Sequence, residues 1–171
     1  MNLKKNKTIL IAAAVVVVAA AGLITVKSLS AGGQAQSAGA AQSASAVNVS
    51  GDMVIDKSKI TATATFFPYQ DGSTNMEVLA VKASDGTVRT AFNTCQVCYD
   101  SGRGYYKLEG DTLVCQNCGN RFSADQVEQQ RGGCNPVGIT KEYKTETDTT
   151  ITLKKDFFDQ TKNIFDNWKK S

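Results

Sequence analysis

Residues 95–122 read CQVCYDSGRGYYKLEGDTLVCQNCGNRF and hold two Cys-x2-Cys pairs, Cys95 with Cys98 and Cys115 with Cys118, sixteen residues apart. Two residues between sulfurs let the chain curl so that both side chains point inward and backbone amides turn toward them. Between the pairs, YYKLEGDTLVC predicts a β-hairpin turning at Gly110-Asp111. Such a hairpin joins the two knuckles into a tetrahedral pocket of four sulfurs, and the spacing lies in the range read as a metal site. Gly119, directly after Cys118, frees the backbone where a knuckle often requires positive φ.

Four thiolates suit Zn²⁺, a single iron or an iron–sulfur cluster, and spacing alone leans toward zinc. Two competing readings are a pair of disulfides, natural in an oxidising compartment, and a catalytic Cys-x-x-Cys. The second lacks the strand, motif and long helix of a thioredoxin-like arrangement. Cys134, in RGGCNP, is the fifth cysteine. An unpaired exported thiol is a liability, so Cys134 is expected beside the other four as a fifth ligand, a replaceable ligand or a redox partner. The alternative is a small buried hydrophobe. Gly132 and Gly133 allow the close backbone approach that involvement requires.

The chain has no histidine, so the commonest general base and the imidazole ligands are both missing. No Ser/His/Asp constellation, phosphate loop or paired catalytic carboxylates stand out, which argues against a hydrolase and for a metal-binding or electron-transfer accessory. Of 19 basic residues, Lys4, Lys5, Lys7 and Lys27 flank the N-terminal apolar run; the remaining 15 face 16 acidic residues. A nucleic-acid binder needs a concentrated basic face, and nucleic acid is excluded as an expected partner.

Working outward, KITATATFFPY alternates and predicts a half-buried strand, while MEVLAVKA and TVRTAFN predict a hairpin turning at Asp85-Gly86. TTITL, near residue 151, is a further strand. Ser123 followed by Gln126 is a capping-box signal for a short helix over residues 124–130, stopped at Gly132-Gly133. The C-terminal KKDFFDQTKNIFDNWKK sets Phe157, Thr161, Ile164, Phe165 and Trp168 at helical spacing. It reads as an amphipathic helix packing on the domain, or as one binding a membrane surface or partner. The expected class is α+β: a small, mainly β domain with two cysteine knuckles on hairpins, a site of zinc-ribbon or rubredoxin kind.

At the N-terminus a basic Met1–Lys7 precedes 19 uncharged residues, 8–26. As a helix they span ~28 Å, close to the thickness of a hydrocarbon core. Residues 1–27 are read as a single membrane anchor with a cytoplasmic N-terminus; a cleaved signal peptide is the alternative. Residues 28–50, almost wholly Ala, Gly, Ser and Gln, are read as a flexible tether. Residues 51–171 then form an extracytoplasmic domain on the cell membrane.

The run RTAFNTCQVCYDSGRGYYKLEGDTLVCQNCGNRFSADQVEQQRGGCNP resembles the FtrD-like family of predicted membrane iron–sulfur proteins. The shared pattern is CxVCY, GYY, a GD turn, VCxNCGxRF and GGCNP, and covers roughly residues 81–137. The resemblance implies an iron–sulfur or related metal centre outside the membrane, serving iron handling or electron transfer beside an iron permease or redox partner protein. By motif, Cys95 and Cys98 match the first pair, Cys115 and Cys118 the second, and Cys134 the GGC cysteine. Longer relatives carry several spans, so transport itself would fall to another subunit, and the C-terminus after Asp156 looks like an addition. Arg121, Tyr105 and Tyr106 are candidates to support the site. The alternative function is a structural four-cysteine zinc module without redox activity; a weaker third is metal capture and delivery.

Overall fold

The computed structural model describes residues 51–170; the expected anchor (1–27) and tether (28–50) lie outside the described residues. Among the described residues no helix is long and apolar enough to cross a membrane.

The body is a four-stranded antiparallel sheet of β2 (Thr65–Asp71), β3 (Thr74–Lys82), β4 (Val88–Cys95) and β8 (Pro136–Gly138), in the order β2-β3-β4-β8. β1 (Met53–Asp56), β9 (Lys144–Glu146) and β10 (Thr150–Leu153) form a second sheet in the order β1-β10-β9. β5 (Tyr106–Glu109), β6 (Thr112–Cys115) and β7 (Arg121–Phe122) form a third, which carries the second cysteine pair. The expected turns at Asp85-Gly86 and Gly110-Asp111 are both present, the latter joining Glu109 and Thr112 directly across a two-residue loop.

β3 reads as a near-continuous apolar run because both of its faces are covered. Met76, Val78 and Ala80 face one core with Phe92 of β4 and Ile55, Ile151 and Leu153 of the second sheet. Leu79 and Val81 face another with Ala91, Tyr106, Leu113, Phe122 and the thiols Cys95, Cys98 and Cys115. The first core is purely apolar and aromatic; the second holds the sulfur chemistry.

Among the described residues the architecture is mainly β, and α-helix is confined to α1 (Lys155–Thr161), continued by a 3-10 turn over Lys162–Phe165. Phe157, Phe158 and Phe165 are buried in the first core. Phe158 stacks on Tyr69 with centroids 3.9 Å apart, and Phe157 on Tyr143 at 3.9 Å. The Trp168 indole N–H donates to the Asn93 carbonyl at 2.7 Å. The aromatic face of this segment therefore packs on the domain, and the surface-binding reading does not hold for it.

Two expected elements are shorter than predicted. The strand in KITATATFFPY begins only at Thr65, because Thr61 and Thr63 hydrogen-bond to each other's backbone and side chain at 3.1 and 3.3 Å, taking the chain off the ladder. The helix expected over 124–130 is a single 3-10 turn, Ala124–Gln126, although Gln126 Oε1 does accept from the Ser123 amide at 2.8 Å. Glu128 ends it by taking a φ of +63°. That conformation delivers its carboxylate to the Thr90 amide (2.5 Å), the Thr90 hydroxyl (2.9 Å) and buried Lys144 (2.7 Å).

Candidate metal centre

Three segments meet where β4 runs out. β4 ends at Cys95, and the chain curls so that the Cys98 amide donates to Cys95 Sγ at 3.3 Å. Ser101 closes the turn behind it, its amide (3.0 Å) and hydroxyl (2.7 Å) both donating to the Cys98 carbonyl. The return strand crosses so closely that a Cβ on Gly104 would fall on that same carbonyl, so only glycine fits.

The second knuckle is built the same way at the end of β6. Gly119 N–H donates to the Cys115 carbonyl at 2.9 Å, with Gly119 at φ +75° as the sequence led one to expect, and β7 follows. The third segment carries Cys134. Gly132 (φ +78°) and Gly133 (φ +76°) bend it inward. Gln96, inside the first knuckle, holds it in place. Its Oε1 accepts from Gly132 N–H at 3.0 Å, its amide donates to Asn135 O at 2.9 Å, and its Nε2 to Pro136 O at 3.3 Å. Tyr106 OH donates to the Cys134 carbonyl at 2.6 Å.

All five cysteines are free thiols, and the structure brings all five together. Cys95, Cys98 and Cys115 have their sulfurs within 4.8 Å of one another, and so do Cys98, Cys118 and Cys134. Cys98 Sγ lies 3.8 Å from Cys134 Sγ. The first triad is buried; in the second Cys118 is exposed and Cys134 half-buried. The sulfurs of Cys95, Cys98, Cys115 and Cys118, expected as one tetrahedral set, lie at this one place, with Cys98 belonging to both triads and Cys118 sharing the second with Cys134.

The thiols differ in acidity. Burial opposes ionisation of Cys95, but the amides of Cys98 and Val97 outweigh it and hold the thiol below its usual range. Burial pushes Cys115 up to about 12 despite the amides of Cys118 and Asn117, and it raises Cys98 as well. Burial opposes ionisation at Cys118 too, yet the Asn120 amide and neighbouring thiols bring it down. Cys134 is raised by its contact with Cys118 and by burial. Thiols crowded this way share protons that a thiophilic cation displaces on binding. The donor set, soft sulfur with amides aimed at it, fits zinc, iron or an iron–sulfur centre.

Of the three expected supporting residues, Tyr106 alone is shown reaching a cysteine. Arg121 pairs with Glu109 at 2.5 Å on the exposed side of the hairpin. Tyr105 sits under the ammonium groups of Lys107 and Lys169. Sequence reasoning missed Gln96 and Asn93. Asn93 Oδ1 accepts from the Tyr106 amide at 2.7 Å, and its Nδ2 donates to Glu77 (2.6 Å) and to the Tyr106 carbonyl (3.2 Å). A buried asparagine inside a strand, two residues before the first cysteine, was the available signal.

A family model described as membrane iron-sulfur containing protein, FtrD-like, matches residues 48–165. The match embraces all five cysteines and, among the described residues, all ten strands and the helix, so the C-terminal segment through Phe165 is part of the shared domain and not an addition to it. No curated protein and no solved structure matches the chain.

Proposed function

Because the chain belongs to the FtrD-like family of membrane iron–sulfur containing proteins, we propose that it is a membrane-anchored, extracytoplasmic metal-thiolate protein accessory to iron uptake. The observation that carries this reading is the convergence of five free thiols from three segments where β4 ends. In this reading residues 1–27 anchor the chain in a single pass and 28–50 tether the domain outside. Iron or an iron–sulfur centre is held by Cys95, Cys98, Cys115 and Cys118, with Cys134 as a further ligand, in a site of rubredoxin or zinc-ribbon kind. Such a centre supplies one-electron transfer when bound. The chain's own contribution is to present the thiolates, donate amides to them and keep water from the buried triad. Cys118, being exposed, gives a membrane iron permease or a redox partner a short route to the centre.

A second reading has one observation in its favour: sulfurs within 4.8 Å of one another have the spacing found around a single ion. Under it, a structural zinc fastens the hairpin and the function lies in a protein surface. Anaerobic purification of the full chain in detergent, with elemental analysis and a visible spectrum, separates the two. Stoichiometric iron with charge-transfer absorption supports the iron reading. A colourless protein with bound zinc supports the structural one, and a protein with neither metal refutes both.

A further inference from the structure

The five sulfurs divide by distance and exposure into two niches with one member in common. We infer that these are two ion sites bridged by the Cys98 thiolate: an inner ion held by Cys95, Cys98 and Cys115, and an outer one held by Cys98, Cys118 and Cys134. The inference rests on the metal-thiolate reading above and deepens it. It assigns to Cys134 a ligand role and to the site a second, exchangeable ion.

Three observations carry it. A metal–sulfur bond of ~2.3 Å places sulfurs about 3.8–4.0 Å apart around a four- or three-coordinate ion. The 3.8 Å between Cys98 and Cys134 has that spacing across segments 36 residues apart in sequence. Secondly, the second knuckle contributes to both niches, buried Cys115 to the first triad and exposed Cys118 to the second. In a one-ion pocket built on two knuckles, each knuckle gives both of its sulfurs to the same ion. Thirdly, the Cys134 loop is held by hydrogen bonds from Tyr106, Asn135 and both ends of the Gln96 amide, with two successive glycines at positive φ. That degree of fixation aims one half-buried sulfur at two others.

Charge agrees with this count. Two divalent cations offset four of the five thiolate charges where one offsets only two, and a thiolate sulfur has lone pairs for two ions. The outer niche offers three protein sulfurs and faces solvent, leaving a coordination position open in the manner of exchangeable sites. The inner niche is formed by three buried cysteines of the second core. The outer site therefore takes up a thiophilic divalent ion from solution or from a carrier and releases it readily, while the inner ion stays.

Cd²⁺ is a suitable probe, added to the reduced full chain in detergent under anaerobic conditions and followed by thiolate-to-cadmium absorption and by cadmium NMR. Two ions per chain are expected, with two distinct resonances, one of them removed by a mild chelator and the other retained. Cys134→Ser should bring the stoichiometry to one and abolish the readily removed fraction, with the far-ultraviolet dichroism unchanged. A single ion in the wild type, or a Cys134→Ser protein that still takes two, overturns the two-niche assignment and leaves the metal-thiolate reading standing. Absence of any bound cadmium overturns both. Should Cys134→Ser fail to fold, the wild-type stoichiometry and chelator test decide alone.

Discussion

Asn93→Ala tests how the cysteine-bearing hairpin is mounted on the domain. Asn93 is 1% exposed and sits where the β4–β8 register shifts between Phe92 and Cys95. With its backbone pulled out of the ladder, its side chain substitutes for a strand. It pairs with both the amide and the carbonyl of Tyr106, the first residue of β5, and also donates to the Glu77 carboxylate. Truncation to alanine leaves a buried N–H and a buried C=O of Tyr106 without that partner. Two neutral bonds at roughly 1 kcal/mol each and one charged bond at roughly 2 kcal/mol give a loss of about 4 kcal/mol. Glu77 keeps Lys169 as a partner at 3.2 Å, which limits the charged contribution. Against a total stability of about 5–15 kcal/mol for a domain, this is a large share. Urea unfolding at fixed metal saturation measures it, with thiol reactivity reporting whether the hairpin has moved off Cys95. Asn93→Asp discriminates further: it keeps the acceptor for the Tyr106 amide but sets a second carboxylate against Glu77 and the Tyr106 carbonyl. Aspartate should be no better than alanine. An alanine variant losing less than about 1 kcal/mol, or an aspartate variant matching the wild type at neutral pH, refutes this account of the mounting.

Phe158→Ala should destabilise the protein by about 3–5 kcal/mol, since Phe158 is fully buried between Tyr69 and Phe92; a urea midpoint close to wild type would show that the C-terminal segment is not part of the core. Thr94 Oγ1 is buried without a hydrogen-bond partner among the described residues, so Thr94→Val should stabilise the metal-free protein by about 1 kcal/mol, and a loss of stability in the same melt would mean that the hydroxyl has a partner. The Thr87 hydroxyl and amide, with Arg89, hold the Asp85 carboxyl down at about 2. A depressed folded value stabilises above the ordinary carboxylate value of ~4 and is lost as pH falls toward 2. Asp85→Asn should therefore flatten the acid limb of a stability–pH profile between those values, and an unaltered limb would remove Asp85 from the account.

What the amino-acid order settled alone was local. Gly110-Asp111 dictates a two-residue hairpin because few residues tolerate that turn, and Glu109 and Thr112 pair across it. The two Cys-x2-Cys knuckles follow from their own spacing, and the alternation around residue 151 yields β10. Each of these is decided within about ten residues, by turn chemistry or by the period-two pattern of a strand. The resemblance carried by the cysteine motifs likewise pointed to the family whose model spans residues 48–165.

Tertiary structure decided everything that depends on which segments meet. The capping box at Ser123 formed, yet the helix stopped after one turn because Glu128 is drawn across to Thr90 and buried Lys144. The aromatic stripe of the C-terminus has the period of an amphipathic helix, but only the stacking of its rings on Tyr69, Phe92 and Tyr143 shows what it packs against. Spacing pointed to two knuckles meeting with Cys134 nearby, but not to which sulfurs would neighbour Cys98. That grouping arises because the end of β4, the end of β6 and the Gly132–Cys134 loop are brought together by sheet pairing and by Gln96, Asn93 and Tyr106. Spacing constrains neighbours along the chain, whereas convergence of distant loops is set by long-range packing that closes them in space.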